Sequence, residues 1–260
     1  MKINTLLAQV EHKASQVAEM FSNYLNFFSK SQGAFQGVKK TFIPRDGYGD
    51  EPTKRGNTMV VTTVREKYDW MSEQLKEYLN SVFIVEACNS SNNNRVELIV
   101  DGIDFGYLSA PELMRLKNFL TRDDLLNVLK KTPVRSDSEV WEECTDKSYE
   151  GREIVQSPMQ AGITRTTETE DVILQDPNLD PQNLPGNYKA AITTRKRIVE
   201  TGDYTYQKFS GEWTQLQKAN LLKRRSQLLE AVLVALKEVN SAEIQDSNLD
   251  TDALIDYLFQ

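Results

Sequence analysis

INTLLAQVEHKASQVAEMFSNYLNFF, residues 3–28, is the stretch whose reading decides the fold. Ile3, Leu7, Val10, Ala14, Val17, Phe21, Tyr24 and Phe28 recur at alternating spacings of four and three, a heptad seam. Polar residues fill most positions between them. Leu6, Leu25 and Phe27 widen the apolar stripe beyond a strict seam, so the pattern predicts a helix buried in a bundle rather than a free-standing coiled coil.

Gly33 and Gly37 end this helix. The stretch from Gln32 to Asn57, punctuated by Pro44, Gly47, Gly49, Pro52 and Gly56, reads as a long loop, and loops of that length are often functional. Val60, Val64, Tyr68, Met71, Leu75, Leu79 and Val82 mark a second helix over about 59–83. Residues 95–100 and 103–108, joined by Asp101-Gly102, read as a small hairpin. Ser109-Ala110-Pro111-Glu112 opens a further helix, which carries Leu113, Leu116 and Leu120, is extended to Leu129, and stops at Thr132-Pro133.

From Val134 to Lys208 the helical period disappears. Short strands are expected around Val140-Trp141, Ile154-Val155, Ile163, Val172–Leu174, Ala190–Val199 and Tyr204–Phe209, with a proline-rich loop at Gln175–Asn187. The helical period returns at about Thr214–Asn240, before an acidic tail in which Leu254, Ile255, Leu258 and Phe259 suit a short docking helix. The expected fold is therefore α+β: a long-helix bundle of N- and C-terminal helices with a small hairpin and an antiparallel β-rich middle. The expected division is 1–133 (helical with inserted hairpin), 134–210 (β-rich subdomain) and 211–260 (long helix and acidic tail packing back on the N-terminal region).

The 260 residues are 39% hydrophobic and 27% charged, enough to bury a core without a disulfide or metal staple. A formal net charge of −7 argues against general nucleic-acid binding and against adhesion to an anionic membrane. No apolar run is long enough to span a bilayer, and the first residues show no leader pattern, so the expected location is the cytoplasm. Cys88 and Cys144 lie far apart with no nearby histidine, the pattern of reduced thiols rather than of a zinc site.

Lys40-Thr41-Phe42-Ile43-Pro44, Lys54-Arg55, Leu129–Val134 with Trp141 downstream, Lys208-Phe209-Ser210-Gly211 and the closing helix to Asn240 occur in that order along the chain. In these segments the chain resembles an uncharacterised family of bacterial and mobile-element proteins. Many relatives carry His-Pro-Ala-Gln before the late strands. Here Asn183-Leu184-Pro185-Gly186-Asn187 stands in that region, so a histidine role there is lost. The resemblance implies no activity.

Catalytic patterns are scarce. His12, the only histidine, lies off the helical seam beside Glu11 and Lys13, which suits a solvated residue better than a catalytic one. There is no Walker loop, dinucleotide fingerprint or calcium loop. Asp46–Glu51 lacks regular ligand spacing, and Arg45, Lys54 and Arg55 oppose a cation there, so no metal or other cofactor is expected. The informative feature is basic clustering beside threonines and aromatics. Arg45, Lys54, Arg55, Arg165, Thr167, Arg195, Arg197, Tyr204 and Tyr206 make the candidate ligand-binding set, because guanidinium forks grip phosphate oxygens and rings stack on bases. Ordinary solvated surface charge accounts for the same pattern. The leading expectation is a non-enzymatic homo-oligomer that sequesters a nucleotide-like, phosphate-bearing signalling molecule, as phage-encoded sponge proteins do in anti-phage defence. A protein-interaction module and a metal-dependent hydrolase or phosphodiesterase are the alternatives.

Overall fold

The computed structural model describes residues 3–49, 51–54, 56–90, 94–174 and 191–241. The fold is α+β, with all paired strands antiparallel. The chain divides into two units, each assembled from separate stretches. One takes Met1–Lys30, Lys67–Val134 and Trp213–Gln260; the other takes Ser31–Glu66 and Arg135–Glu212. Residues 31–66 thus group with the β-rich middle and not with the helices around them in sequence. The reason is β1 (Gln36–Pro44), which pairs along nine residues with the far end of β8 (Ala191–Ser210). The stretch read as a loop therefore contains a nine-residue strand. Its alternation is hidden by Lys39-Lys40 and Gly37, and its pairing partner lies more than 150 residues downstream, out of reach of any local pattern.

In the helical unit, α1 (Ile3–Lys30) buries the C-terminal half of its seam, Val17, Phe21, Tyr24 and Phe28, with Met20 beside them, and also Leu6 near its start. Leu7 remains 45% exposed, so the seam is not uniformly covered. His12 is exposed. α2 (Val64–Asn89) starts later than its apolar pattern suggests, because Thr63 and Glu66 form a reciprocal cap: Glu66 N–H donates to Thr63 Oγ1 at 3.1 Å and Thr63 N–H to Glu66 Oε2 at 3.0 Å. Tyr24 of α1 stacks on Trp70 of α2 with centroids 5.9 Å apart, and its hydroxyl donates to the Lys67 carbonyl at 3.0 Å. Burial pushes that phenol up to about 12.

β3 (Arg95–Val100) and β4 (Ile103–Ser109) form the expected hairpin, with Asp101 at φ +51° and Gly102 at φ +81° in its turn. Ser109 and Glu112 cap α3 (Ala110–Leu120) reciprocally. The single helix expected through Leu129 is two, α3 and α4 (Asp123–Lys131), because Arg122 takes extended backbone and its guanidinium grips Asp124 at the new start. α5 (Gln215–Val239) opens on a Thr214–Gln217 capping box and buries Val232, Ala235, Leu236 and Val239 against Leu98, Leu113 and Leu120. α5 packs on α3, α4 and β3, while α1 packs on α4. Among the described residues no helix is long and apolar enough to cross a membrane.

The other unit is built on β8. One edge of β8 carries β1, followed by β2 (Thr53–Lys54). The other edge carries β6 (Val155–Gln156) with β5 (Glu142–Glu143), and then β7 (Gln160–Leu174). The expected short strands are thus replaced in large part by two long ones, of 15 and 20 residues. Polar threonine and charged positions made these stretches look interrupted, yet each is continuous because its backbone pairs regardless of side-chain polarity. A core of Val60, Tyr149, Ile154 and Phe209 fills beneath the sheet. Arg55, the Gln175–Asn187 loop, and the tail beyond Ser241 with its expected docking helix lie outside the described residues.

Candidate functional site

At its inner end β8 lies between β1 and β7, and directly opposed residues share a face. Phe42 opposes Tyr204 and Lys40 opposes Tyr206 on one side; Gly162 opposes Tyr204 and Gln160 opposes Tyr206 on the other. One face therefore carries Lys40, Phe42, Tyr204 and Tyr206 together. Glycines make room for the rings. The Tyr204 ring occupies the space a Cβ at Gly162 would need, and Phe42 does the same at Gly202. Tyr204 and Tyr206 lie 5.8 Å apart between centroids, and the Lys40 ammonium sits 4.1 Å from the Tyr204 centroid. The Tyr206 hydroxyl donates to Gln160 Oε1.

A cleft of about 680 Å³ opens on this face, within the size range of small-molecule sites. Lys40, Phe42 and Tyr48 line it from β1 and the turn that follows; Thr164, Thr166 and Glu168 line it from β7. Thr201 closes the base. It is the extra residue where the β7–β8 register shifts between Thr164 and Arg165, and its hydroxyl donates to the Thr164 carbonyl at 3.3 Å. Arg45 N–H donates to the Thr201 carbonyl at 3.1 Å, tying the end of β1 to the bulge. Tyr48 ends the tight turn that begins at Arg45, which bends through Gly47 at φ +87°. The Tyr48 hydroxyl donates to Glu168 Oε1 at 2.7 Å, and that carboxylate holds the phenol above its ordinary pKa.

The expected ligand set is only partly brought together. Tyr204 and Tyr206 share a face, as their spacing predicts. Arg195 and Arg197 lie on the same face farther along β8, but each directly opposes a carboxylate of β7, Glu170 and Glu168. Thr167, which opposes Ile198, and Arg165 lie on the opposite face of the β7–β8 ribbon. Lys54 opposes Thr41 and so shares that other face. Arg45 is held by two acids: Nη2 donates to Asp203 Oδ1 at 3.0 Å, and Nη1 pairs with Glu200. These bonds raise the Arg45 pKa, with Asp203 the larger cause. Arg165 also pairs with Glu200, Nη2 to Oε1 at 3.2 Å, and Glu200 is driven below the ordinary carboxylate range by Arg45 first and Arg165 second. Arg45 and Arg165, two of the guanidiniums that looked like phosphate forks, are therefore occupied by acids of their own unit. Glu168 and Thr201 escaped the sequence reading altogether. Lys40, Phe42 and Tyr48 were visible as basic and aromatic residues, but only the β1–β8 register brings them to the tyrosines.

Among the described residues no group of three or more His, Cys, Asp or Glu side chains is placed to hold a metal ion. Cys88 and Cys144 are free thiols. The helical unit has smaller hollows. One of about 190 Å³ lies between α1 and α2 beside Met20 and Trp70, and one of about 450 Å³ lies between β3 and α5. The first brings Trp70, Tyr78 and Lys13 together in a much smaller space than the sheet cleft, and the second is lined by no aromatic ring and no cation among the described residues.

No curated protein and no solved structure matches the chain. A family model described as a family of unknown function, DUF7873, matches residues 1–260, in keeping with the resemblance to an uncharacterised family. The chain therefore belongs to that family.

Proposed function

We propose that this protein is a non-enzymatic binding protein whose sheet cleft takes a nucleotide-like ligand bearing a phosphate. The observation that carries this reading is the cleft itself. It offers aromatic walls from Phe42 and Tyr48, hydroxyls from Thr164, Thr166 and Thr201, and the Lys40 ammonium. Rings of this kind stack on a base, and an ammonium with hydroxyls suits a phosphate. The biological setting we propose is sequestration of a signalling molecule by a homo-oligomer, in the manner of phage-encoded sponge proteins. Two measurements test the reading. Mass spectrometry of material released by heating purified protein should find a nucleotide-like compound, and calorimetry against a nucleotide panel should show saturable binding. Absence of both removes the proposal.

A second reading, a protein-interaction module, is favoured by a different surface. On the hairpin surface, counting both sides of the ribbon, Ile99, Ile103, Phe105 and Tyr107 are each more than half exposed. Apolar side chains clustered in this way mark contact surfaces. Phe105→Asp is expected to lower the assembly mass in light scattering if this surface mediates association, and an unchanged mass would count against it.

A further inference from the structure

The charges around the cleft narrow what it can hold. Arg45 is committed to Glu200 and Asp203, and Arg165 to Glu200. Arg195 and Arg197 stand opposite Glu170 and Glu168. Among the described residues lining the cleft, Lys40 is the one cation and Glu168 the one anion. A ligand with a long polyphosphate would bring several negative charges to a single ammonium, with a carboxylate in the same cavity. A ligand with one phosphate can satisfy Lys40 and keep the rest of its surface neutral.

Glu168 has a second consequence. An ionised carboxylate only accepts hydrogen bonds, and it has several lone-pair sites. Tyr48 donates to Oε1. A ligand that presents adjacent hydroxyls can donate to the same carboxylate, whereas one lacking a hydroxyl leaves an acceptor without its partner. Glu168 is exposed in the free protein, and a bound ligand that covers it excludes the water that would otherwise replace a missing hydroxyl.

We infer that the cleft selects a ribonucleoside monophosphate, with Lys40 as the phosphate contact and Glu168 as the residue that reads the ribose hydroxyls. This rests on the binding reading above and specifies its ligand. Phe42 and Tyr48 form the walls against which the base stacks, and the threonine hydroxyls supplement Lys40.

The test is calorimetry of the full chain against the four ribonucleoside monophosphates, their 2′-deoxy forms, the parent nucleosides and the triphosphates. At least one ribonucleoside monophosphate should bind about tenfold more tightly than its deoxy form, the magnitude of one lost hydrogen bond, and about tenfold more tightly than its triphosphate. Glu168→Gln keeps an acceptor for Tyr48 but removes the charge and replaces one acceptor oxygen with a donor. It should shrink the ribose-to-deoxyribose ratio to about twofold or less and should improve triphosphate binding. Lys40→Met should erase the advantage of the monophosphate over the nucleoside. Glu168 is exposed and Lys40 half-buried, and a thermal melt of each variant checks that the fold is retained. Triphosphates that bind as well as monophosphates, equal binding of ribose and deoxyribose forms, or an unaltered ratio in Glu168→Gln would each overturn the inference while leaving nucleotide binding in place. Failure of every nucleotide and nucleoside to bind would overturn both.

Discussion

Gly162 and Gly202 both support rings of the aromatic face, yet a methyl group at each would meet different surroundings. At Gly202 it would meet the Phe42 ring and also the Ile43 carbonyl oxygen, at 2.7 Å. A backbone atom cannot swing aside, so Gly202→Ala is expected to cost about 1–3 kcal/mol in chemical denaturation and to weaken ligand binding by displacing Phe42. At Gly162 the obstacle is the far end of the Tyr204 side chain, whose hydroxyl would lie 2.6 Å away. That ring can rotate, so Gly162→Ala should cost less and should chiefly disturb the tilted ring contact with Tyr206. A residue-scale pH effect comes from Asp146. Lys39 first, and Ser148 second, hold its carboxyl down at about 2, against an ordinary 3.8. A carboxylate whose folded pKa is depressed contributes stability that is present above the ordinary value and is lost as pH falls through the folded one. Stability should therefore decline between about pH 4 and pH 2, and Asp146→Asn should flatten that part of the profile. The pair is partly exposed, which limits the effect to about 1 kcal/mol. The Lys39 partner is not legible locally, since Lys39 and Asp146 are joined only when β1 docks in the sheet unit.

At the scale of elements, the start of α2 is held from outside the helix. Arg152 donates to both Glu66 oxygens, at 2.7 and 3.0 Å, and to the carbonyls of Val60 and Val61, at 3.2 and 3.1 Å. Glu66 already completes the cap on Thr63. One planar guanidinium thus fixes the helix start and the strand-like approach to it. Arg152→Ala is expected to cost about 1–2 kcal/mol in a urea titration, and Arg152→Lys should recover little, because an ammonium cannot span both carboxylate oxygens and two carbonyls. The β7–β8 ribbon is held differently. Glu168 faces Arg197 and Glu170 faces Arg195 across the strands, with the residues on both sides exposed. Charge reversal at one position, Glu170→Arg, should destabilise the ribbon, and the compensating Arg195→Glu should restore it. A double-mutant cycle should return about 0.2–1 kcal/mol of coupling, falling with added salt. The same cross-strand arrangement explains why a run of Arg-Lys-Arg looked like a phosphate site. In one dimension it is a basic cluster, and in the sheet two of its three cations stand opposite carboxylates.

The molecule as a whole is interleaved, because the chain leaves one unit for the other after Lys30, after Glu66, after Val134 and after Glu212. Neither unit is one continuous stretch. A fragment of residues 1–134 lacks α5, whose Val232, Leu236 and Val239 cover Leu98 and Leu113. That fragment is expected to expose its hairpin core and aggregate, and circular dichroism with light scattering would show it; a monomeric, cooperatively melting fragment would contradict the packing described. The sequence by itself determined the long helices, the Asp101-Gly102 hairpin and the helix opening at Ser109, because apolar periodicity, turn residues and capping all act within a few neighbouring residues. It also determined that Tyr204 and Tyr206 share a face, since strand side chains alternate. Only the tertiary structure decided that the Gln32–Asn57 stretch contains a strand, that the middle of the chain is two long strands, and that Lys40 and Phe42 join the tyrosines while Arg45 and Arg165 are taken up by Glu200. Those outcomes depend on which backbone edge pairs with which, over separations of up to more than 150 residues, and on which charge meets its opposite there.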